Sequence, residues 1–157
     1  HRAKQVGHQP AMILAGRQIN DGMAEFVCDH IDAKLGAPGG DILVLGVTFK
    51  KNVPDLRNPQ VARVIHELKA KGHSVEAHDP HADSGEARTL YGIELLEEIP
   101  GAARRYDCVV GAVAHDRYGT IDAARIAGLL NDGGLLADIA GMWRGLEFPA
   151  GLRRWQL

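Results

Sequence analysis

This sequence has few cysteines, no long apolar runs and no excess of basic charge. No stretch of about eighteen consecutive apolar residues occurs, so no transmembrane helix and no membrane partner are predicted. The start shows no basic segment followed by an apolar one, so no signal peptide is predicted. The formal net charge is −2, whereas nucleic-acid-binding domains usually carry a strongly basic surface. These absences point away from membrane and nucleic-acid functions and favour a soluble globular domain.

The two cysteines, Cys28 and Cys108, lie too far apart in sequence to suggest a disulfide framework, which favours the reducing cytoplasm. Cys28 falls on the apolar face of a predicted helix and Cys108 within a predicted buried strand. Reactive thiols need accessible, electropositive surroundings, so we interpret both as core residues. No metal site is predicted either, because only His78 and His81 are close in sequence and no cluster with recognised ligand spacing surrounds them.

The apolar residues that are present follow helical and strand patterns in turn. Helical spacing over residues 10–35 predicts a long amphipathic helix that ends at Gly36. A continuous apolar run at residues 42–47 predicts a strand buried on both faces. Pro59, preceded by the capping residue Asn58, starts the next helix. Further strands are predicted at residues 74–78, 106–113 and 135–139, helices at 84–90 and 121–130, and a brief strand or extended turn at 93–95.

Strands that alternate with helices through short loops predict an α/β fold with a doubly wound parallel sheet. We expect residues 1–36 to form a helical segment outside the sheet and residues 37–157 to form the sheet domain. In such sheets, ligands bind beyond the carboxyl ends of the strands. The loops that meet this condition lie at residues 46–58, 79–83, 114–118 and 140–144.

The loop after the first predicted strand carries most of the charged side chains. A dinucleotide-binding turn would read G-x-G-x-x-G, but Gly46 is followed by Val-Thr-Phe-Lys, so an ordinary NAD site is not expected here. Lysine offers a mobile charge to phosphate, and arginine offers a planar fork. Two interpretations stay open, a phosphate-binding loop or a solvated loop with a local Asp55–Arg57 contact. The polar side chains concerned are Thr48, Lys50, Lys51, Asp55 and Arg57.

Two other loops carry candidate polar groups. Asp79 ends a predicted strand where dinucleotide-binding domains place a ribose-binding acid, but it follows the first strand by more than the usual interval of about twenty residues. We therefore favour a turn at Asp79-Pro80. His115 lies beside Asp116, a pairing compatible with acid–base chemistry, but no nucleophile is near in sequence. We favour a polar loop at residues 115–118 that lines an interface.

The most specific motifs are three segments: ILAGRQIND at residues 13–21, VLGVTFKKNVPDLRNP at residues 44–59 and VEAHDP at residues 75–80. Together they resemble the UDP-glucose/GDP-mannose dehydrogenase family. Within it, the likeness is greatest to the UDP-N-acetylhexosamine 6-dehydrogenases of bacterial polysaccharide biosynthesis. YGIE at residues 91–94 and AVAH at residues 112–115 also fit that branch, so the resemblance covers nearly the whole chain.

The resemblance implies the C-terminal part of such an enzyme, a Rossmann-like UDP-sugar-binding domain preceded by a long central helix. The family oxidises the C6 alcohol of a UDP-sugar, a UDP-N-acetylhexosamine or UDP-glucose, twice to the uronate through a cysteine-linked thiohemiacetal and thioester. NAD is the cofactor and is held mainly by an N-terminal domain. That domain, the catalytic cysteine and the acid–base residues would all precede His1. No residue of this chain is therefore assigned a catalytic role, and the chain alone is expected to be inactive.

The resemblance also implies four binding residues. Lys50, in the F-K motif, is expected to contact the UDP-sugar, and Arg57, in D-x-R, to lie by the domain junction on the cofactor side. Arg17 and Asn20, in R-x-I-N-D, are expected on the central helix near the sugar or the dimer interface. The expected partners are the UDP-sugar, the N-terminal NAD-binding domain of the same protein and a second copy bound through the central helix.

Two other classes of function are alternatives to a UDP-sugar-binding portion of a dehydrogenase. A receiver-like phosphoacceptor domain needs an acid pair after the first strand, but residues 46–49 read Gly-Val-Thr-Phe. It also needs an aspartate that ends the third strand, whereas that predicted strand leads into Ala114 and His115. A non-catalytic nucleotide-binding or dimerisation module remains the alternative to the dehydrogenase portion.

Overall fold

The computed structural model describes residues 11–57, 59–101 and 103–157, and its description of side chains leaves out residues 11–21 and Pro59. Residues 1–10, Asn58 with its predicted capping role, and Ala102 lie outside the described residues. The strands are β1 (Asp41–Leu45), β2 (Ser74–His78), β3 (Leu95–Leu96), β4 (Tyr106–Gly111), β5 (Leu130–Asp138) and β6 (Arg153–Gln156). The helices are α1 (Ala11–Leu35), α2 (Pro59–Ala70), α3 (Ser84–Tyr91), α4 (Asp116–Gly119) and α5 (Ala123–Gly128).

The strands form one parallel sheet in the order β3-β2-β1-β4-β5-β6. The chain first builds the sheet outward from β1 through β2 to β3, and then returns to β4 on the other side of β1. This reversal between β1 and β4 is the topological switch point at which doubly wound sheets open a crevice for ligands. The predicted fold class, a Rossmann-like doubly wound parallel sheet, is therefore confirmed.

The core consists of two apolar layers, one on each face of the sheet. Successive side chains of a strand point to opposite faces, so Ile42 and Val44 belong to one layer and Leu43 and Leu45 to the other. All four side chains are fully buried. Burial of each such side chain contributes about 1.5–3 kcal/mol relative to exposure. The continuous apolar run of β1 was readable in the sequence because both faces are covered.

The described half of α1 packs on the sheet domain. Val27, Cys28 and Ile31 are buried in the same apolar layer as Ile42. Gly36, at φ 78°, ends the helix as predicted, since the left-handed conformation stops it there. The division of the chain at residue 36 into a helical segment and a sheet domain stays a prediction. Within the described residues, no helix is both long and apolar enough to span a membrane.

Two elements differ from the sequence-based expectation. β6 had not been predicted, because its sequence, Arg-Arg-Trp-Gln, has no alternating apolar pattern. It is the outermost strand of the sheet and pairs only with β5. The short helix α4 occupies residues that we had expected to form a loop. β5 also begins at Leu130 rather than at residue 135, and the helix before it, α5, is correspondingly shorter than predicted.

Candidate ligand-binding edge

The carboxyl ends of the central strands are in register. Leu45 of β1 pairs with His78 of β2 and with Gly111 of β4, and Gly111 pairs with Asp138 of β5. The loops that follow these strands therefore begin at the same level and meet at one edge of the sheet. Side chains far apart in sequence come into contact there, as the ligand-binding rule for parallel sheets predicts.

Asp79 joins two of these loops. Its Oδ2 accepts hydrogen bonds from the backbone N–H groups of Val47, at 2.7 Å, and Thr48, at 3.0 Å. Its Oδ1 accepts from the N–H groups of His81, at 2.8 Å, and Ala82, at 3.1 Å. The predicted turn after β2 is therefore present. Both oxygens are used within the protein and the side chain is fully buried, so this carboxylate is not available to a ribose.

His115 lies against the same carboxylate. The Asn52 N–H donates to His115 Nδ1 at 2.9 Å, so Nδ1 is unprotonated and the ring proton is on Nε2. Nε2 lies 3.0 Å from Asp79 Oδ2 and 3.0 Å from the Thr48 hydroxyl. His115 and Tyr118 are both buried and Asp116 begins α4, which corrects our interpretation of residues 115–118 as a polar loop; that this segment lines an interface stays a prediction.

The ionisation of Asp79 follows from these contacts. Burial raises its pKa, but hydrogen bonds from His115, Val47, His81 and Thr48 outweigh burial and hold the pKa well below its ordinary value. Asp79 is therefore a carboxylate at neutral pH. It serves as an internal anion around which backbone donors are arranged.

Threonine, histidine and aspartate side chains in contact resemble the composition of a nucleophilic triad. The geometry excludes that role for Thr48, His115 and Asp79. In a triad, the acid and the hydroxyl bind different ring nitrogens, and the nitrogen that faces the hydroxyl is unprotonated. Here both lie at Nε2, which carries the proton, and all three side chains are fully buried. The cluster is structural.

The tip of the loop after β1 is also held in place. Asn52 adopts a left-handed conformation, φ 58°, and its side chain exchanges hydrogen bonds with the side chain and the N–H of Asp116. The Phe49 N–H donates to the carbonyl oxygen of Asp55 at 2.7 Å and closes the loop. Lys51 Nζ lies 2.6 Å from Asp116. The loop therefore has a defined conformation, although several of its side chains are exposed.

Lys50 is one of the exposed cations of this loop, with Lys51 and Arg57. Its Nζ lies 5.1 Å from the centre of the Phe49 ring, which is itself half exposed. Within the part of the chain that the structure describes, Lys50 makes no salt bridge, whereas Lys51 is paired with Asp116. Of the two adjacent lysines, Lys50 is thus the one whose charge is available to an anionic ligand.

Arg57 forms the local contact that the sequence suggested. Its Nε and Nη2 lie 3.0 Å and 2.8 Å from the two carboxylate oxygens of Asp55. The hydrogen bond from Arg57 lowers the pKa of Asp55 to about 2. The arginine side chain is largely exposed, so this pair orients the guanidinium more than it stabilises the fold. Its expected contact on the cofactor side stays a prediction.

The other two predicted binding residues, Arg17 and Asn20, are within α1, but their side chains lie outside the described part of the structure. Their roles stay predictions. Cys28 and Cys108 are buried, as predicted, and burial raises the pKa of Cys28 to about 12. Among the described residues, no group of three or more histidine, cysteine or carboxylate side chains is arranged to hold a metal.

Sequence reasoning missed the joint role of Thr48, Asn52 and His115. A usable signal was present, because residues 46–52, Asp79 and His115 follow β1, β2 and β4, which are neighbours in the sheet. A second signal is Gly46, at φ 94°, where an added Cβ would lie 2.5 Å from the Val113 side chain. Only glycine permits this close approach of the two loops.

The fold and this edge define a doubly wound α/β domain that presents a lysine-bearing loop at its switch point. Residues 43–145 match the sequence model of a protein family, which is described as the UDP-glucose/GDP-mannose dehydrogenase family, UDP binding domain. The chain belongs to this family, which confirms the resemblance found in the sequence.

Relatives of known name agree. The chain is 38% identical over 162 residues to Protein CapL of Staphylococcus aureus, covering 100% of this chain and 38% of the relative. It is 33% identical over 144 residues to UDP-N-acetyl-D-glucosamine 6-dehydrogenase of Salmonella typhi, covering 88% and 33%. It also superposes on a UDP-D-ManNAc dehydrogenase structure from Pyrococcus horikoshii with a TM-score of 0.76 at 18% identity, covering 97% and 35%. The chain thus spans about a third of the length of these relatives.

Proposed function

We propose that this chain is the UDP-sugar-binding portion of an NAD-dependent dehydrogenase that oxidises the C6 alcohol of a UDP-N-acetylhexosamine to the carboxylate. The observation that carries the proposal is Lys50, exposed and without an acidic partner in the described chain. It lies on an ordered loop at the switch point, within the region that the UDP binding domain matches. The Salmonella typhi relative, a UDP-N-acetyl-D-glucosamine 6-dehydrogenase by name, supports an N-acetylhexosamine as the sugar.

In this proposal, Lys50 binds the diphosphate. A lysine ammonium is a compact charge on a flexible stem, and its hydrogen bonds to phosphate oxygens are stronger than those between neutral groups. Arg57, oriented by Asp55, faces the cofactor side, and Arg17 and Asn20 contact the sugar or a second subunit. The task of this portion is to bind and orient the substrate.

NAD does not fit the corresponding position of this domain. The turn after β1 reads Gly46-Val47-Thr48 and lacks the glycines that let a backbone approach a pyrophosphate. Asp79, at the position of a ribose-binding acid, is buried and already accepts hydrogen bonds through both oxygens. We therefore assign NAD and the oxidation chemistry to the N-terminal domain of the same protein.

A homodimer formed through α1 and a cytoplasmic location complete the proposal. On α1, Met23 and Phe26 are exposed apolar side chains, which supports contact with another subunit. Sedimentation equilibrium measures the mass of the chain in solution. A monomer at every concentration would contradict the dimer.

Calorimetric titration with UDP tests the binding role. Lys50→Ala is expected to weaken UDP binding by roughly tenfold or more, since a charged hydrogen bond is worth about 1.5–3 kcal/mol. Lys51→Ala is the matched control, because the neighbouring lysine is paired with Asp116, and it is expected to change the affinity less than about threefold. Absence of UDP binding by the chain, or equal losses in the two variants, would overturn the assignment to Lys50.

A further inference from the structure

Two buried histidines make the same pair of contacts at opposite edges of the sheet. His115 accepts the Asn52 N–H at Nδ1 and meets Asp79 at Nε2. His73, just before β2, accepts the Gly40 N–H at Nδ1, at 3.2 Å, and meets Asp32 at Nε2, at 3.0 Å. Both histidine side chains are fully buried. Because the two histidines make equivalent contacts, a comparison of the two distinguishes the contribution of a buried histidine to stability from the effect of its position on ligand binding.

We propose that His115 is a positioning residue for the ligand, which acts by holding the loop that carries Lys50. This inference rests on the proposed function, in which Lys50 binds the diphosphate of the UDP-sugar. His115 is too deeply buried to touch a ligand, so its effect is transmitted through the loop.

The contacts explain how the loop is held. Asp79 binds the N–H groups of Val47 and Thr48, and His115 binds the N–H of Asn52. Lys50 lies between Thr48 and Asn52, so backbone anchors stand two residues before it and two residues after it. His115 also joins the anchors to each other, because its Nε2 proton is donated to Asp79.

Holding the loop in this way raises affinity for a physical reason. A flexible loop loses backbone freedom when a ligand orders it, and that loss reduces the binding free energy. A loop that is already ordered in the free protein avoids the loss. His73, by contrast, ties α1 to the start of β1 at the edge away from Lys50, so it contributes to folding only.

Substitutions can separate the two ring nitrogens of His115. In His115→Asn, the amide oxygen stands near the position of Nδ1 and can accept the Asn52 N–H. In His115→Gln, the amide nitrogen stands near the position of Nε2 and can donate to Asp79, but the acceptor for Asn52 is lost. His73→Gln is the matched control, since it removes the equivalent acceptor from the Gly40 N–H.

The experiment measures UDP affinity by calorimetry and hydrogen exchange at the Asn52 amide by NMR in the full chain. We expect His115→Gln to weaken UDP binding about tenfold and to speed exchange at Asn52 about tenfold, because the part-buried Asn52 N–H loses its acceptor. His115→Asn should restore both to within about threefold of the unsubstituted protein. His73→Gln should lower the melting temperature to a similar extent as His115→Gln. It should leave the UDP affinity and the rate of hydrogen exchange at the Asn52 amide unchanged.

Equal losses of UDP affinity in His115→Gln and His73→Gln would overturn the inference, because affinity would then follow overall stability. Unchanged exchange at Asn52 in His115→Gln would overturn it as well. If the unsubstituted chain bound no UDP, the proposed function would fail, and the inference would fail with it as a statement about ligand binding. The Asn52 exchange would then still show whether His115 holds the loop.

Discussion

The two edges of the sheet use the same histidine–aspartate pair for different purposes. At the amino-terminal edge, Asp32 is partly exposed and its histidine partner, His73, ties α1 to the start of β1. At the carboxyl-terminal edge, Asp79 is fully buried, and backbone donors from two loops converge on it together with His115. The pair itself does not determine the role. The number of other donors around the carboxylate, and the place of the carboxylate along the strands, decide it.

This difference agrees with the geometry of parallel sheets. Chain connections at the carboxyl ends come from neighbouring strands and form the ligand crevice, so an anion buried there can organise several of them at once. At the opposite edge, the pair joins α1 to the residues just before β1 and β2, and Lys71 also lies near Asp32. We therefore expect damage at the carboxyl-terminal edge to alter stability and ligand binding together, and damage at the amino-terminal edge to alter stability alone.

The largest expected effect comes from replacing the buried carboxylate. Asp79→Asn puts an amide group among donors that need an acceptor, and breaking such a buried charged network costs about 3–5 kcal/mol. Asp32→Asn should cost less than about 1 kcal/mol, because that carboxylate is partly exposed. The free energy of unfolding in urea measures both. Losses of equal size would mean that the two edges do not differ in this way.

A smaller difference in the free energy of unfolding is expected between alanine substitutions of two glycines, one at each edge. Gly46→Ala should cost about 2–4 kcal/mol, since the new Cβ would lie 2.5 Å from the Val113 side chain and φ is 94°. Gly36→Ala should cost about 1 kcal/mol, because it has positive φ but no atom within 4 Å of the new Cβ. Urea unfolding again gives the comparison. A Gly46 variant no less stable than the Gly36 variant would contradict the tight approach of the two loops.

The smallest effect concerns pH and His78, which lies at the end of β2. Burial, and then the nearby Arg117, lower the pKa of His78, while Asp79 and Glu98 oppose them and His115 adds to the lowering. The unfolded chain therefore takes up a proton before the folded chain does as pH falls. This contribution to stability is complete above about pH 6.5 and decreases below it, by up to about 1.4 kcal/mol per pH unit for one proton.

His78→Gln should flatten the stability profile between pH 6.5 and pH 5, measured by urea unfolding at several pH values. The substitution leaves the His73 pair at the other edge unaltered, so it assigns the slope to the carboxyl-terminal edge. An unchanged slope in the His78 variant would show that the acid sensitivity comes from other groups. The buried Nε2 of His78, which has no hydrogen-bond partner among the described residues, makes this histidine the first candidate.

The parts of the fold that could be predicted are those with a local signature. The buried run of β1, the amphipathic α2 and the glycine that ends α1 were readable, because both sheet faces are covered and because helices expose one face. β6 could not be predicted, since its arginines carry no burial pattern and its place depends on pairing with β5. The family motifs identified Lys50, and its loop was located from the position of β1.

Local sequence was thus sufficient for the α/β class, the family and the loop that carries Lys50, because spacing and motifs act over neighbouring residues. The folded chain alone decided that Thr48, Asp79 and His115 meet, that Asp79 is a buried anion, and that Lys51 is paired with Asp116 while Lys50 has no salt bridge among the described residues. These contacts join residues 31 to 67 positions apart. The register of parallel strands brings them together, and no pattern of adjacent residues records that register.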